Sequence, residues 1–94
     1  MRIKNVERKI ANIEGFEVTI RYVDGRDVRG DKEGLPRYEY QKAAKHDFTV
    51  AQWRDQRFSQ AYAGYQVSVW NADGSEAHGK TKLATVRDTY LNDT

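Results

Sequence analysis

This sequence contains two histidines, and each has an acidic residue nearby. Histidine and carboxylate side chains are common in catalytic and metal sites. His46 is followed directly by Asp47, and His78 lies two residues after Glu76. An imidazole beside a carboxylate can move a proton or help to hold a divalent metal ion. The spacing of these four residues matches no established ligand pattern. Two surface histidines, one in a turn and one at a strand end, are therefore the favoured interpretation.

Acidic residues grouped with a lysine would suit a second chemistry, the metal-assisted hydrolysis of nucleic acid. The two groups of this kind are Asp24, Asp27, Asp31 and Lys32, and Asp73, Glu76 and Lys80. Asp24 and Asp73 each precede a glycine after an apolar run, so a turn accounts for both without catalysis. A metal-assisted nuclease using His46 and His78 is therefore the third of three functional hypotheses. We predict that the chain is not an enzyme and has neither a cofactor nor a metal site.

Composition excludes several further classes of protein. The 94 residues contain no cysteine, which excludes a disulfide scaffold, a zinc ribbon, an iron–sulfur site and a cysteine nucleophile. With 38% hydrophobic and 32% charged residues, the chain is too apolar for a disordered protein and too polar for a membrane protein. The net charge of +2 is weak, and both signs are mixed along the sequence. We expect one domain over residues 1–94, in the cytoplasm and with no membrane partner.

Helices are predicted in three places from the spacing of apolar residues. The first carries a stripe in steps of three and four residues, at Ile3, Val6, Ile10 and Ile13. The second begins at a capping box formed by Thr49 and Gln52. Its inner face consists of Val50, Trp53, Phe58, Ala61 and Tyr62. A third helix near the C-terminus carries Leu83, Val86 and Tyr90.

Two β-hairpins are predicted between these helices, and they match each other at an offset of 49 residues. The run at 15–20 (Gly-Phe-Glu-Val-Thr-Ile) corresponds to the run at 64–69 (Gly-Tyr-Gln-Val-Ser-Val). Alternation of apolar and polar residues indicates strands with one buried face. The Asp-Gly pairs at 24–25 and 73–74 suit tight primed turns. Short return strands would then carry Val28 and Ala77.

The predicted fold is α+β: an antiparallel sheet of two β-hairpins packed against two to three helices. Residues 1–30 form a helix–hairpin unit, 31–48 an insert and 49–94 a helix–hairpin–helix unit. The insert contains Pro36, and the alternation of Tyr38 and Tyr40 predicts a short extra strand. The sheet would then have four or five strands. The repeat has two interpretations, true pseudo-symmetry or two similar hairpins that arose independently.

Arginine and aromatic residues supply the candidate contact surface. Trp70 alternates onto the face opposite the buried strand residues, in line with Arg21, so it is exposed unless the insert or the last helix covers it. Arginines stand beside aromatic rings at several further positions. The predicted partner-binding residues are Trp70, Arg21, Arg37, Tyr38, Tyr40, Arg54 and Arg57. Packing of arginine stems over core aromatics, contact with a protein and stacking of single-stranded nucleic acid all remain open.

These observations favour a non-catalytic protein-interaction module, and a small nucleic-acid-binding domain is the alternative. A homodimer is also expected, because a second copy would cover exposed sheet edges. In size and general layout the whole chain is similar to the small proteins with which phages and mobile elements block host defence machinery, anti-CRISPR proteins among them. That resemblance implies an inhibitor of a host macromolecular machine. It includes no diagnostic motif and carries over no residue roles, since such proteins share no fold.

Overall fold

The structure, a computed structural model, describes residues 2–23 and 34–91 of the chain. These residues form a small α+β fold of three helices and a two-stranded antiparallel sheet. The elements in chain order are α1 (Ile3–Glu14), β1 (Glu17–Tyr22), α2 (Val50–Trp53) with a π-helical continuation (Arg54–Phe58), β2 (Tyr65–Trp70) and α3 (Leu83–Leu91). In the described ranges no helix is long and apolar enough to cross a membrane.

Helix α1 packs its predicted apolar stripe into the core. Ile3, Val6 and Ile10 are buried, and Ile13 packs against the same core from its edge. The helix ends at Gly15, which has a φ of +85° and whose N–H donates to the carbonyl of Ala11. Glycine adopts this left-handed conformation without strain, so the residue type at position 15 explains why the helix terminates there.

The second helix begins as predicted but does not continue as an α-helix. The hydroxyl of Thr49 accepts a hydrogen bond from the N–H of Gln52, whose side chain accepts one from the N–H of Thr49. After Trp53 the chain widens into a π-helical turn, closed by a 2.8 Å bond from the N–H of Ser59 to the carbonyl of Arg54. The prediction of one helix up to residue 62 was therefore wrong in its geometry. The predicted inner residues Trp53 and Phe58 are nevertheless fully buried.

The two strands pair directly with each other, a contact that the sequence pattern did not specify. Val18 lies opposite Val69 and Ile20 opposite Val67, and all four side chains are buried on one face. The predicted turn and return strand of the first hairpin, residues 24–30, lie outside the described residues. Within those residues the sheet has two strands, and neither the extra strand of the insert nor a four-stranded sheet is found. Tyr38 and Tyr40 belong to an irregular segment.

The second hairpin is shorter than predicted. After β2 the chain turns back through Asn71–Ser75, and a single bridge joins Trp70 to Glu76. Gly74 has a φ of +90°, but no non-glycine residue of the described chain has a positive φ, so Asp73 is not left-handed. The predicted primed turn is therefore wrong, since that turn requires two such residues. Asp73 instead accepts a bond from the N–H of Ser75, which is the turn role that the sequence indicates.

Loss of the capping box provides a test of the α2 start. We expect Thr49→Ala to lower the free energy of unfolding by about 1 kcal/mol, because the N–H of Gln52 loses its acceptor. Thr49→Ser keeps the hydroxyl and serves as the matched control. Urea denaturation followed by far-UV circular dichroism measures both variants. Equal midpoints for the alanine and serine variants would contradict the structure at this position.

Candidate functional site

The seven predicted contact residues separate into two places on the molecule. Arg37, Tyr38, Tyr40 and Arg57 line a groove of about 640 Å³, together with Pro36, Glu39, Gln60 and Ala61. Trp70 and Arg21 lie on the outer face of the sheet, and Arg54 borders that face. We call residues 34–45 the strap, because this irregular segment forms one side of the groove and reaches back to α1.

A buried carboxylate at the end of α1 holds the strap in place. The side chain of Glu14 has no exposed surface. Its Oε2 accepts a 2.5 Å hydrogen bond from the Tyr38 hydroxyl, and its Oε1 accepts a 2.9 Å bond from the backbone N–H of Ala44. Both halves of the strap are therefore fixed to the last turn of α1.

Two arginines balance the charge of this carboxylate. Arg57 donates from Nη1 to Glu14 at 2.8 Å, and Arg87 donates from Nη2 at 3.2 Å. Arg87 also donates to the backbone carbonyls of Glu14 and Ala44, at 2.6 and 2.8 Å. Burial lowers the pKa of Arg87, and the charge of Glu14 partly offsets this effect. The cluster thus connects α1, the strap, the π-helical turn and α3 through one ionised group.

Tyr38 belongs to this cluster and not to the accessible surface. Its exposed fraction is 1%, and its hydroxyl also accepts a 3.1 Å bond from Nε1 of Trp53. Burial, followed by the hydrogen bond to Glu14, raises the pKa of the Tyr38 hydroxyl well above its usual range. The core encloses the ring of Tyr38, so its predicted contact with a partner would involve only the small part of the side chain that borders the groove.

The accessible part of the groove consists of stacked Tyr40 and Arg57 beside Arg37. The guanidinium carbon of Arg57 lies 4.2 Å from the ring centroid of Tyr40, which is 37% exposed. Nη1 of Arg57 also donates to the carbonyl of Lys42 at 2.7 Å. Arg37 is exposed and has no hydrogen-bond or ion-pair partner among residues 2–23 and 34–91. The groove therefore presents one hydrogen-bonded arginine and one unpaired arginine near an exposed ring.

The outer face of the sheet carries Trp70 and Arg21 together, as alternation predicts. Nε1 of Trp70 donates to the hydroxyl of Thr19 at 2.8 Å, and Nη1 of Arg21 donates to the hydroxyl of Ser68 at 2.7 Å. The Arg21 guanidinium lies 5.9 Å from the centroid of the Trp70 ring. Trp70 is partly exposed, so its indole ring is neither fully buried nor fully accessible to solvent.

Arg54 extends the outer face towards a shallow hollow. Arg21, Ser68, Gln66 and Glu76 line this hollow with it. The only ion pair of Arg54 in the described chain is a long one, 3.9 Å to its neighbour Asp55. Glu76 and Asp55 lie close to these arginines, so the net positive charge of this face is smaller than the number of arginines indicates.

Sequence reasoning missed Glu14 and Arg87, which organise the site. A signal for Glu14 was present, since it lies four residues after Ile10 and so continues the buried stripe of α1. Arg87 likewise lies four residues after the buried Leu83. A charged residue in a buried stripe needs a partner of opposite charge, and the sequence does not show which one is near.

The histidines and acids of the catalytic hypotheses are scattered. Nδ1 of His46 lies 3.2 Å from Nη1 of Arg87 and accepts its hydrogen bond, because a guanidinium can only donate. His78 is exposed near the bridge at Glu76. Three or more histidine or acidic side chains that could share a metal ion do not occur in the described ranges. Asp24, Asp27, Asp31 and Lys32 lie outside those ranges.

Comparison of the chain with protein-family models, with curated proteins and with solved structures gives no match.

Neutralising the buried carboxylate provides a test of its role. We expect Glu14→Gln to lower the free energy of unfolding by roughly 3–5 kcal/mol, because Arg57 and Arg87 lose their counter-charge inside the protein. Glu39→Gln makes the same chemical change at an exposed position and should leave stability nearly unchanged. Urea unfolding curves of the two variants measure the difference. If the two variants unfold at the same urea concentration, the cluster does not hold the strap.

Tyr62 presents a different kind of buried phenol. Its side chain is 1% exposed, and its hydroxyl is the buried side-chain polar atom without a hydrogen-bond partner in the described residues. Burial, followed by the negative charge of Glu39, raises the pKa of Tyr62 to about 12. Removing this hydroxyl therefore breaks no hydrogen bond, in contrast to removing the hydroxyl of Tyr38.

The two tyrosines should respond oppositely to loss of the hydroxyl. At pH 7 we expect Tyr62→Phe to keep or increase the free energy of unfolding and Tyr38→Phe to lower it by about 1–3 kcal/mol. The folded Tyr62 binds its proton more tightly than the unfolded residue does. The titration of Tyr62 therefore leaves the free energy of unfolding unchanged below pH 10 and lowers it between pH 10 and 12. Tyr62→Phe should therefore flatten the alkaline loss of stability. Urea unfolding at several pH values measures both effects, and a large loss for Tyr62→Phe at pH 7 would contradict them.

Proposed function

We propose that this chain is a non-catalytic protein-interaction module that contacts its partner through the groove beside the strap. The observation that carries the proposal is the exposed Tyr40 stacked on Arg57, with the unpaired Arg37 next to it. Tyrosine and arginine dominate the binding energy of many protein interfaces. Because Arg57 is already fixed by Glu14 and the carbonyl of Lys42, little side-chain entropy remains to be lost on binding.

Nucleic-acid binding by the outer sheet face remains the alternative. Trp70, Arg21 and Arg54 could stack bases and contact phosphates there. Glu17 and Glu76 stand on the same side, opposite and beside Trp70 in the pairing register, and they would repel a phosphate backbone. This difference in charge favours the groove and a protein partner. A metal-assisted nuclease remains the third hypothesis.

The wider role proposed for the module is that of a small inhibitor of a host macromolecular machine, of the kind that phages and mobile elements encode, acting in the cytoplasm. Its support is the absence of cysteine from the sequence and the surplus of arginine and aromatic residues. A homodimer is proposed as well, since the two strands found among the described residues have edges that a second copy could cover.

We also propose that the two helix–strand units are copies of one ancestral unit. An offset of 49 residues matches Thr19 with Ser68 and Arg21 with Trp70. Thr19 and Ser68 are also paired directly across the sheet. Under the same correspondence, the hydrogen bond from Arg21 to Ser68 in one direction is equivalent to the hydrogen bond from Trp70 to Thr19 in the other. A local two-fold axis through the Thr19–Ser68 pair accounts for this agreement.

Affinity capture with matched variants tests the proposed function. The tagged protein is incubated with an extract of its native host, and the retained proteins are identified by mass spectrometry. We expect one discrete protein to be retained by the wild type and by Arg54→Ala, and to be lost at least tenfold with Arg37→Ala and Tyr40→Ala. All three changes are at exposed or partly exposed positions, so the fold should persist. Retention that is equal for all variants would overturn the proposal.

A salt titration with nucleic acid separates the alternative. Fluorescence anisotropy of a labelled ten-nucleotide oligo-dT measures binding at low and high salt. The protein-module proposal predicts no saturable binding at micromolar protein concentration. Tight binding that weakens steeply with salt and is lost with Arg21→Ala would instead establish the nucleic-acid function.

A further inference from the structure

The strap is bordered by positive charge on both of its sides. On one side lies the groove with Arg57, and on the other a smaller hollow is lined by Lys9, Arg37 and Glu39. Lys9 and Arg37 have no recorded ion pair within residues 2–23 and 34–91, and Arg57 shares its single carboxylate with Arg87. Glu39 is the one acidic side chain that lines either recess in the described chain. This surface therefore complements negative charge.

The guanidinium of Arg57 is held in a fixed position from which it could bind a carboxylate. Its hydrogen bonds to described residues, to Glu14 and to the carbonyl of Lys42, all use Nη1. These two bonds leave Nε and Nη2 unused, and the Tyr38 hydroxyl also lies close to the guanidinium. A guanidinium presents such donors in a fixed fork that matches the two oxygens of a carboxylate. The ring of Tyr40 holds the plane of this fork, because it stacks on the guanidinium at 4.2 Å.

We propose that the groove binds an acidic segment of the partner protein, with one carboxylate on Arg57 and a neighbouring one on Arg37. This inference rests on the proposed function and names the chemistry of the partner. A groove of about 640 Å³ has room for a few side chains. The exposed ring of Tyr40 lies beside Arg57, where it would pack against the methylene groups of a glutamate.

An acidic peptide fits this groove better than a nucleic acid does. A phosphate backbone places a negative charge at every nucleotide, and one of these would meet Glu39. A glutamate peptide carries its charges on flexible side chains, so it can turn one carboxylate away from Glu39 and keep two others for the arginines. Glu39 therefore disfavours a nucleic acid, whose phosphates are fixed in its backbone, more than it disfavours an acidic peptide.

Titration of the ¹⁵N-labelled 94-residue chain with short peptides tests the inference. The probes are tetraglutamate with blocked ends and, as the neutral control, tetraglutamine with blocked ends. We expect tetraglutamate to shift the Nε–H signal of Arg57 and the backbone signals of residues 36–41, 60 and 61 in a saturable manner. Tetraglutamine should shift none of these signals at the same concentrations. Equal shifts with both peptides, or shifts confined to the outer sheet face, would overturn the inference.

Matched variants show whether the two arginines act as proposed. Arg37→Gln should weaken tetraglutamate binding about tenfold, whereas Arg54→Gln removes the same charge from the other surface and should leave binding within twofold. Arg57→Lys keeps the positive charge but lacks the fork, and should also weaken binding about tenfold. The amide spectrum of each variant reports whether the fold is intact. Equal weakening by Arg54→Gln and Arg37→Gln would show a nonspecific charge effect and overturn the inference.

The outcome can be separated from that of the proposed function. If capture of the host protein depends on Arg37 and Tyr40 but tetraglutamate does not bind, the acidic segment is wrong and the interaction module stands. If tetraglutamate binds at the groove but no host protein depends on it, the ligand chemistry stands and the proposed function fails. Saturation of the groove signals by oligo-dT at a lower concentration than tetraglutamate would overturn the peptide inference in favour of nucleic acid.

Discussion

The buried carboxylate of Glu14 is the constraint on which the rest of this structure depends. It ends α1, accepts hydrogen bonds from both halves of the strap, and pairs with arginines from the π-helical turn and from α3. A charge inside a protein must be matched, because its desolvation is otherwise too costly. Four parts of the chain that also share the hydrophobic core are therefore brought to one point by the need to satisfy a single group.

The same cluster connects stability with the proposed contact surface. Arg57 gives one edge of its guanidinium to Glu14 and faces the groove beside Tyr40. A side chain with this double role cannot be optimised for binding alone, since its position is set by the core. The consequence is a preorganised arginine, which loses less entropy on binding than a free surface arginine does. Arg37, which has no such anchor, supplies adaptability at the same groove.

The outer sheet face follows a different principle, in which polar side chains satisfy one another across two strands. Arg21 and Trp70 each reach diagonally to a hydroxyl on the neighbouring strand. The single N–H donor of Trp70 is thereby occupied, and its ring is only partly exposed. A ring whose donor is already paired offers a partner less than a fully exposed ring with an open donor. For this reason the groove, and not the tryptophan, carries the functional proposal.

Much of the local structure could be predicted from the sequence, because periodicity and capping depend on neighbouring residues. The stripe of α1, the capping box at Thr49, the helix over Leu83–Leu91 and the buried faces of both strands are of this kind. The pairing of β1 with β2 depends on contacts some 50 residues apart in the sequence, so the pattern of each hairpin did not reveal it. Tyr38 was misplaced for the same reason, since alternation does not show that a distant glutamate binds the hydroxyl. The sequence by itself determined the positions of α1, the start of α2, the two strands and α3, whereas tertiary packing alone decided which charges meet at Glu14, because electrostatic pairing acts through space and not along the chain.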